Sequence, residues 1–532
     1  MAAQIPSSGQ PPDFWIAVEP YLEHGDREYL ATILRLWSPT VDPDNHIAEA
    51  LHDAIWKGDD VAVRMMLEAG VDPRARQSCD PNFTPILAAS QYGSLEIVRL
   101  LWEIVGPDGR FFPNSRRPSR LNCLQVAARN GHAQLVDFFL GVWNGWEEDE
   151  KCAALRDAAS AWCDDVVALL LTKVQYHHED FQDTIGMAVM NKMILPEAES
   201  RPRNTPGDDV QQQRVVSLLV NAGADLNGRS RFSQRPLLHV ASQTDHCIGG
   251  VRGLLANGAD PNRQDRDGRT ALHLAPRGEG TPLPESTLAC LLQAGASAEI
   301  KDVDGETPLH TVAKAGTLEQ FRLCLASCGD SDAAICVENS FGESLLHYAA
   351  AGGKVDIIEL LLDLGADVNS ASSNGWTPLM CALAPTRAKH EDAIYESANL
   401  LLQRGADARV VTDEGWTPLH ALVTYPFSFK WSSRSPESTA AGVLLARKLI
   451  SRGALVAAES SIIQRLSVDG QLLCGKWGFR MQRFVEETAK RAPDLESIET
   501  TPLVWALKNN AIDIFDVIRE HFDFVAQHGK RL

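Results

Sequence analysis

Histidine returns along this chain more regularly than any other residue able to do chemistry. His239, His273, His310, His347 and His420 each stand fourth in a short run typified by "TPLH", as in "DGRTALHLAP" from 267, "DGETPLHTVAKAG" from 304 and "EGWTPLHALV" from 414. An imidazole can act as general base, proton shuttle or metal ligand, so five in one context raise the question of a shared ion or substrate. Geometry argues against it. Helices that stack side by side lie about 8–10 Å apart, whereas zinc holds its nitrogens at about 2.0–2.1 Å. One ring per stacked helix cannot share an ion with the next. The reading that remains is structural: each ring sits at the start of a first helix and bonds backbone groups of the adjoining turn and loop. The threonine before it can cap the first amides, and proline suits the first helical position because its missing N–H costs nothing there.

Other candidate sites fail on similar grounds. "GQLLCGKW" (470–477) follows the phosphate-binding pattern GxxxxGK[ST] until its last letter, where Trp477 replaces the hydroxyl that would hold magnesium. Leu472 and Leu473 are also bulky where that loop must close on phosphate. "YHHED" (176–180) offers His177, His178, Glu179 and Asp180. Neighbours on a helix diverge too widely to chelate together, so the run reads as the polar end of the "VVALLLTKVQ" helix. Cys324 and Cys328, four apart, read as small core packing. There is no HExxH, GxSxG, GxGxxG or paired CxxC motif. Neither a cofactor, a metal nor a catalytic group is expected.

Composition narrows the class further. The apolar fraction is 44% and the formal charge −20 over 532 residues. The first fits a folded chain, and the second opposes a general affinity for nucleic acid or acidic lipid. Eleven cysteines at scattered positions read as reduced thiols. The start, "MAAQIPSSGQPPDFW", lacks the pattern of a signal peptide. No window reaches the roughly 18 apolar residues of a membrane helix. The expectation is a soluble cytoplasmic protein, with a nuclear location left open.

The elements that carry the histidines repeat. Aligned on the first letter of TPLH are Thr84, Thr270, Thr307, Ser344, Thr377, Thr417 and Thr501, with degenerate copies near Glu49, Asn122, Ala153, Asp183 and Pro236. From 270 to 307 and from 307 to 344 is 37 residues each, and from 344 to 377 is 33. Periods of this size signal stacked repeats. In "SLLHYAAAGGKVDIIELLLDLGADVN" (344–369), a short apolar helix stops at Gly352-Gly353 and a second one ends at Gly365. Helices this short bury their apolar faces only by stacking on neighbours.

This grammar resembles the ankyrin repeat. The matching residues are "TPLH", the small residues after it, and the closers "LLVNAGADLN" (218–227), "LLANGADPN" (254–262), "LLDLGADVN" (361–369) and "LLQRGADAR" (401–409). The likeness is closest from 215 to 420, looser from 45 to 192 and faint after 456. It implies an all-α ankyrin-repeat solenoid of about twelve helix-turn-helix units with β-hairpin fingers, on the order of 100 Å long at one helix spacing per unit. The expected blocks are an N-terminal arm and capping helices (1–44), degenerate repeats (45–192), a polar insertion (193–214), repeats with an insertion at 424–440 (215–455), an irregular segment (456–500) and a C-terminal capping repeat (501–532). The resemblance also implies protein recognition and no shared chemistry.

If stacking consumes the apolar positions, recognition is left to finger tips, exposed helix faces and insertions. The tips "RSRF" (229–232), "RQDRDG" (263–268), "KDVDG" (301–305), "SSNGW" (372–376) and "TDEGW" (412–416) nominate Arg231, Asp265, Arg266, Asp302, Asp304, Trp376, Asp413, Glu414 and Trp416 as partner-binding residues. They describe a groove passing from mixed to acidic charge. Trp376 and Trp416 read equally as binding hot spots or as packing between fingers. Among the insertions, "GPDGRFFPNSRRPSR" (106–120) is basic and "WNGWEEDE" (143–150) acidic, two loops that could pair. "TYPFSFKWSSRSPES" (424–438) alternates aromatics, and "GKWGFRMQRF" (475–484) mixes bases with aromatics. The function expected is a non-catalytic interaction scaffold or adaptor presenting its groove and fingers to an unidentified protein or peptide, as a monomer and without direct contact to nucleic acid or membrane. Two alternatives stand beside it: a transcriptional co-regulator acting through a DNA-binding partner, and an enzyme or small-molecule binder with a pocket closed by the insertions.

Overall fold

A computed structural model describes residues 21, 25–37, 46–75, 84–107, 122–189, 208–230, 234–243, 248–275, 287–383, 391–413, 415–424, 436–456, 501–502 and 512–528. The fold divides into two compact units, Met1–Ala259 and Asp260–Leu532. Among the described residues the regular structure is helical, and no helix is long and apolar enough to cross a membrane.

In the first unit, helix pairs follow one another: His46–Lys57 with Asp60–Glu68, Pro85–Tyr92 with Leu95–Val105, Cys123–Arg129 with Ala133–Val142, and Glu148–Ser160 with Asp164–Lys173. His178–Val189 with Asp208–Asn221 and Leu237–Ser242 with Ile248–Ala256 complete it. First helices pack on first helices, as Pro85–Tyr92 does on both His46–Lys57 and Cys123–Arg129. "WNGWEEDE" is not a free acidic loop. Trp146 is buried, stacks 6.4 Å from Trp102 and donates its indole N–H to the Phe139 carbonyl at 2.9 Å. Glu147 and Glu150 cap the Glu148–Ser160 helix, where the helix dipole favours acids. "YHHED" likewise opens a helix instead of ending one: the His177 amide donates to Asp180 Oδ2 at 3.0 Å, and the preceding helix stops at Lys173. The basic loop 108–120 lies outside the described residues.

Where other units turn on glycine, the first unit once uses tryptophan. Trp162 holds φ +58° at the end of the Glu148–Ser160 helix, a conformation that costs a residue with a Cβ about 1 kcal/mol or more. Burial of the ring offsets it, together with a 3.0 Å bond from the indole N–H to the Ala188 carbonyl of the His178–Val189 helix.

The second unit holds Ala271–Leu274 with Thr287–Gln293, Pro308–Ala315 with Leu318–Ala326, Leu345–Gly352 with Val355–Asp363, Pro378–Leu383 with Glu391–Gln403, and Pro418–Thr424 with Pro436–Ser451, followed by Ile512–His528. The first helix of a pair here is buried on nearly every side. Leu345, Leu346, Tyr348, Ala349, Ala350 and Ala351 are all buried because the helix is flanked on both sides by its counterparts. Each buried leucine contributes roughly 1.5–3 kcal/mol. The second helix buries only one stripe, Ile357, Ile358 and Leu361.

Between units the chain turns out and back through tips closed by backbone bonds. Asp265 N donates to Arg269 O, Asp302 N to Glu306 O, Asn339 N to Glu343 O, Ser372 N to Trp376 O and Thr412 N to Trp416 O, at 2.8–3.1 Å. Expected as β-hairpin fingers, these segments form no strand among the described residues; two isolated bridges, Arg229 with Pro236 and Glu338 with Ser344, are all the pairing seen there. The turns are too tight to run a ladder of their own, and bond to the next tip instead. Val303 N donates to Asp267 O at 3.0 Å, Ser340 N to Asp304 O at 2.8 Å and Ser373 N to Phe341 O at 2.8 Å.

This ladder explains one glycine closely. Gly305 has φ +76°, and a Cβ there would lie 2.9 Å from Ser340 N and 2.8 Å from its Oγ, while Gly365 has φ +91° with nothing within 4 Å. Both alanine substitutions strain the backbone by about 1 kcal/mol or more, but only Gly305→Ala also pushes adjacent tips apart. Urea denaturation of the full chain should show Gly305→Ala the more destabilising of the two.

Candidate interaction surface

The histidine row is a set of bridges. The backbone N–H of the residue three before each ring donates to its Nδ1: Thr270 to His273 at 3.0 Å, Thr307 to His310 at 3.1 Å, Ser344 to His347 at 3.1 Å and Thr417 to His420 at 3.2 Å. This is the place that Glu or Gln takes in a capping box. The neighbouring box shows it: Asn122 N donates to Gln125 Oε1 at 3.1 Å. An Nδ1 that accepts leaves the proton on Nε2, which is free to donate. His273 Nε2 meets the Glu306 carbonyl at 3.1 Å, and His347 Nε2 meets that of Trp376 at 3.0 Å. Those carbonyls belong to the residues just before the next caps, Thr307 and Thr377. His310 Nε2 faces the equivalent Glu343 carbonyl without meeting hydrogen-bond geometry. The hydroxyls of Thr270, Thr307 and Ser344 lie 2.9–3.0 Å from the same Nδ1 atoms. At position 239 the row is altered, since Pro236 has neither N–H nor hydroxyl to offer.

A second bridge comes from the asparagine that closes "GADPN" and "GADVN". Asn262 accepts from Ser297 N at 2.7 Å and donates to Gly295 O at 3.1 Å. Asn369 repeats this with Asp407 N and Gly405 O, at 2.8 and 3.3 Å. Each ties its turn to the next one.

A third device sets the tips. Asp265 Oδ1 accepts from Asp267 N and Arg269 N at 2.9 and 3.0 Å, and Asp302 Oδ1 from Asp304 N and Glu306 N, both at 2.9 Å. Asn339 Oδ1 does the same for Phe341 N and Glu343 N at 2.9 Å. Ser372 and Thr412 use their hydroxyls on Trp376 N and Trp416 N, at 3.1 and 3.0 Å.

The nominated contact residues therefore separate. Asp265 and Asp302 are buried, their carboxylates closing their own turns. Trp376 and Trp416 are buried as well, 8% and 3% exposed, with ring centroids 5.8 Å apart. Their surface is spent between fingers, so these four are corrected to structural residues. Arg266 and Asp413 are exposed and Asp304 is half-buried at the tips. Arg231 and Glu414 lie outside the described residues, as do 425–435 and 457–500 with the "GQLLCGKW" and "GKWGFRMQRF" motifs. Two exposed tip residues were missed: Asp267, and Val303 at 66% exposure. Their signal was position, since both follow a turn-closing acceptor.

Among the described residues no group of three or more His, Cys, Asp or Glu is placed to hold a metal ion. Burial lowers the histidines' affinity for protons: His347 falls to about 4 despite its bond to the Trp376 carbonyl, His310 falls to about 4, and His273 falls too. Burial also pushes the Cys324 thiol up to about 12, away from reactive thiolate.

Stacked helix pairs with tied, protruding turns define a repeat protein. Its repeats are ankyrin repeats: a family model of ankyrin repeats (3 copies) matches residues 51–142, 283–372 and 330–394, and one of ankyrin repeats (many copies) matches 238–278. The chain is also similar to ankyrin repeat and SOCS box protein 6 of Mus musculus, Pongo abelii and Homo sapiens, at 41% identity over 61 residues in each case. That stretch is 12% of this chain and covers only 15%, 14% and 14% of those three proteins.

The bridges make a stability prediction with a definite sign. The imidazole pKa values lie below the usual 6.5 in the folded chain, so the stability these rings confer is complete above about 6.5 and drains as pH falls towards about 4. His347→Ala removes both bonds and leaves a cavity, costing about 2–4 kcal/mol. His347→Gln, which can keep the cap as Gln125 does, should retain most of the stability at pH 7 and lose part of the acid sensitivity. Urea midpoints of the full chain from pH 4 to 7 check both.

Proposed function

We propose that this chain is a non-catalytic scaffold or adaptor whose ankyrin units, about twelve in all, present finger tips to a partner protein or an extended peptide. One observation carries the reading. Among the described residues, five tip backbones are closed by a buried side chain of their own turn, while the residues directly after that side chain, Arg266, Val303 and Asp413 among them, are exposed. A pre-organised surface loses little conformational entropy on binding, and exposed side chains on rigid turns can differ from unit to unit without disturbing the stack. Arg231 and Glu414 belong to the same tips in sequence and are proposed as contacts with them. Ankyrin repeats serve generally as protein-interaction modules, in keeping with an adaptor's role. The charge of −20 favours a partner with basic character over nucleic acid or acidic membrane. The eight free cysteines among the described residues suit a reducing compartment, cytoplasm or nucleus.

The test compares the tagged full chain with Arg266→Glu plus Asp413→Arg, purified from its own cells. The expected result is a reproducible protein partner lost at least about tenfold in the double variant, with helicity and urea midpoint unchanged. Full retention of the partner would place recognition away from the tips.

A further inference from the structure

Two carboxylates are buried together in the second unit where its other repeats have none. The residue before each cap is Arg269, Trp376 or Trp416 elsewhere, but Glu306 and Glu343 in two consecutive repeats. Both are buried, at 5% and 2% exposure, and both converge on one phenol. The Tyr348 hydroxyl donates to Glu306 Oε1 and lies 3.5 Å from Glu343 Oε2. Asn339 lies between them, its Nδ2 2.8 Å from Glu343 Oε2 and 3.1 Å from the Tyr348 oxygen. A phenol has one proton to give, so it serves one carboxylate fully at a time. Tyr348 stands where the other units carry Leu274, Thr311, Cys381 and Ala421, so neither the acids nor their shared donor belong to the repeat grammar.

We infer that Glu306 and Glu343, joined through the Tyr348 hydroxyl, latch the 337–343 finger to the Leu345–Gly352 helix, and that loss of the Glu343 proton loosens this finger. The Glu306 carboxylate beside Glu343 adds to the cost of ionising Glu343 in its buried position. The reaction is a simple proton release to solvent from the carboxyl of Glu343.

The surroundings on every side support this. From the preceding finger come Asp302, committed to its own turn and 3.4 Å from Arg269 Nε, and Lys301, whose Nζ lies 3.4 Å from the Glu338 carbonyl. From the Pro308–Ala315 helix come His310, edge-on to the Tyr348 ring at 5.0 Å, and Lys314. His347 shares the helix of Tyr348, and Cys381 faces Glu343 from the next helix. Burial pushes Glu343 up to about 7; Glu306 adds to the rise, while bonds from Asn339 and Tyr348 and the charge of Lys314 oppose it. A carboxyl raised in the folded chain confers stability that is complete below its ordinary value of 4.5 and is lost as pH rises through about 7. The histidine bridges titrate in the opposite sense, gaining stability as pH rises through about 6.5. A loosening between 6.5 and 8 therefore cannot come from them.

Hydrogen–deuterium exchange of the full chain tests the latch, with rates corrected for intrinsic exchange and referred to the Cys123–Arg129 helix of the other unit. Between pH 6.5 and 8.0, opening of 337–343 and of Leu345–Gly352 should rise at least about threefold in the wild type. It should stay flat in Glu343→Gln, which keeps the shape without the ionisation, and move to lower pH in Glu306→Gln, which removes the neighbouring charge but not the burial. A flat wild-type profile, a wild-type rise retained in Glu343→Gln, or an unshifted rise in Glu306→Gln would overturn the inference. The tip-recognition reading is untouched by that failure, since its readout is partner capture and not exchange.

Discussion

A helix of six to eight residues begins with amides that have no partner inside it and ends before its own bonds can offset the cost of nucleation. In this protein one neutral imidazole relieves both problems. Nδ1 takes the amide of the capping residue, and Nε2 gives its proton to the carbonyl just before the next cap, as His347 does between Ser344 and Trp376. The bond that finishes one unit thus fixes the entry of the following one. Only a group that accepts at one edge and donates at the other, in a fixed plane, can do this while buried. Glutamine at position 125 makes the same cap through Oε1 but sends its Nε2 donor to a side chain, Asp157 Oδ2 at 3.5 Å, and not to a backbone carbonyl before the next cap.

The remaining order follows from that register. Once consecutive caps are tied, the turns between them are brought close enough for tip to bond to tip, as Ser340 N does with Asp304 O. Glycine is then required where a Cβ would intrude. Where the closing asparagine is present, at Asn262 and Asn369, it ties the opposite end of its repeat to the next. What is left over is narrow: the side chains directly after the turn-closing acceptor, held on a backbone that has no remaining freedom. Recognition by such positions costs little ordering entropy, which is why the scaffold reading rests on them and not on the conspicuous tryptophans.

Much of this was written plainly in the chain. TPLH, the glycines that end helices and the GADxN closers give the repeat and its helix pairs, because each signal is local. The role of a tip aspartate is not local in the same way. Asp302 and Asp304 look alike in "KDVDG", yet the first is buried with one oxygen closing the turn and the second is only half-buried. The distinguishing pattern was available: Asp265, Asp302, Asn339, Ser372 and Thr412 all stand five before a cap, and all carry a short side-chain acceptor. Exposure of Trp376 and Trp416 could not be read this way, since it depends on two tips separated by an insertion. "YHHED" was assigned to the wrong helix because the residues that end one helix and open the next are both polar. The Glu306–Glu343 pair was invisible because its two members meet only through Tyr348.

The coupling between units rests on which nitrogen of each ring carries the proton. Nitrogen-15 NMR of histidine-labelled full chain at pH 7 reads this directly. Neutral rings protonated on Nε2 are expected at His273 and His347, each Nδ1 showing the shift of a hydrogen-bond acceptor, with no protonation of His347 on lowering the pH to 6. Rings protonated on Nδ1, or His347 imidazolium already present at pH 6, would contradict the coupling.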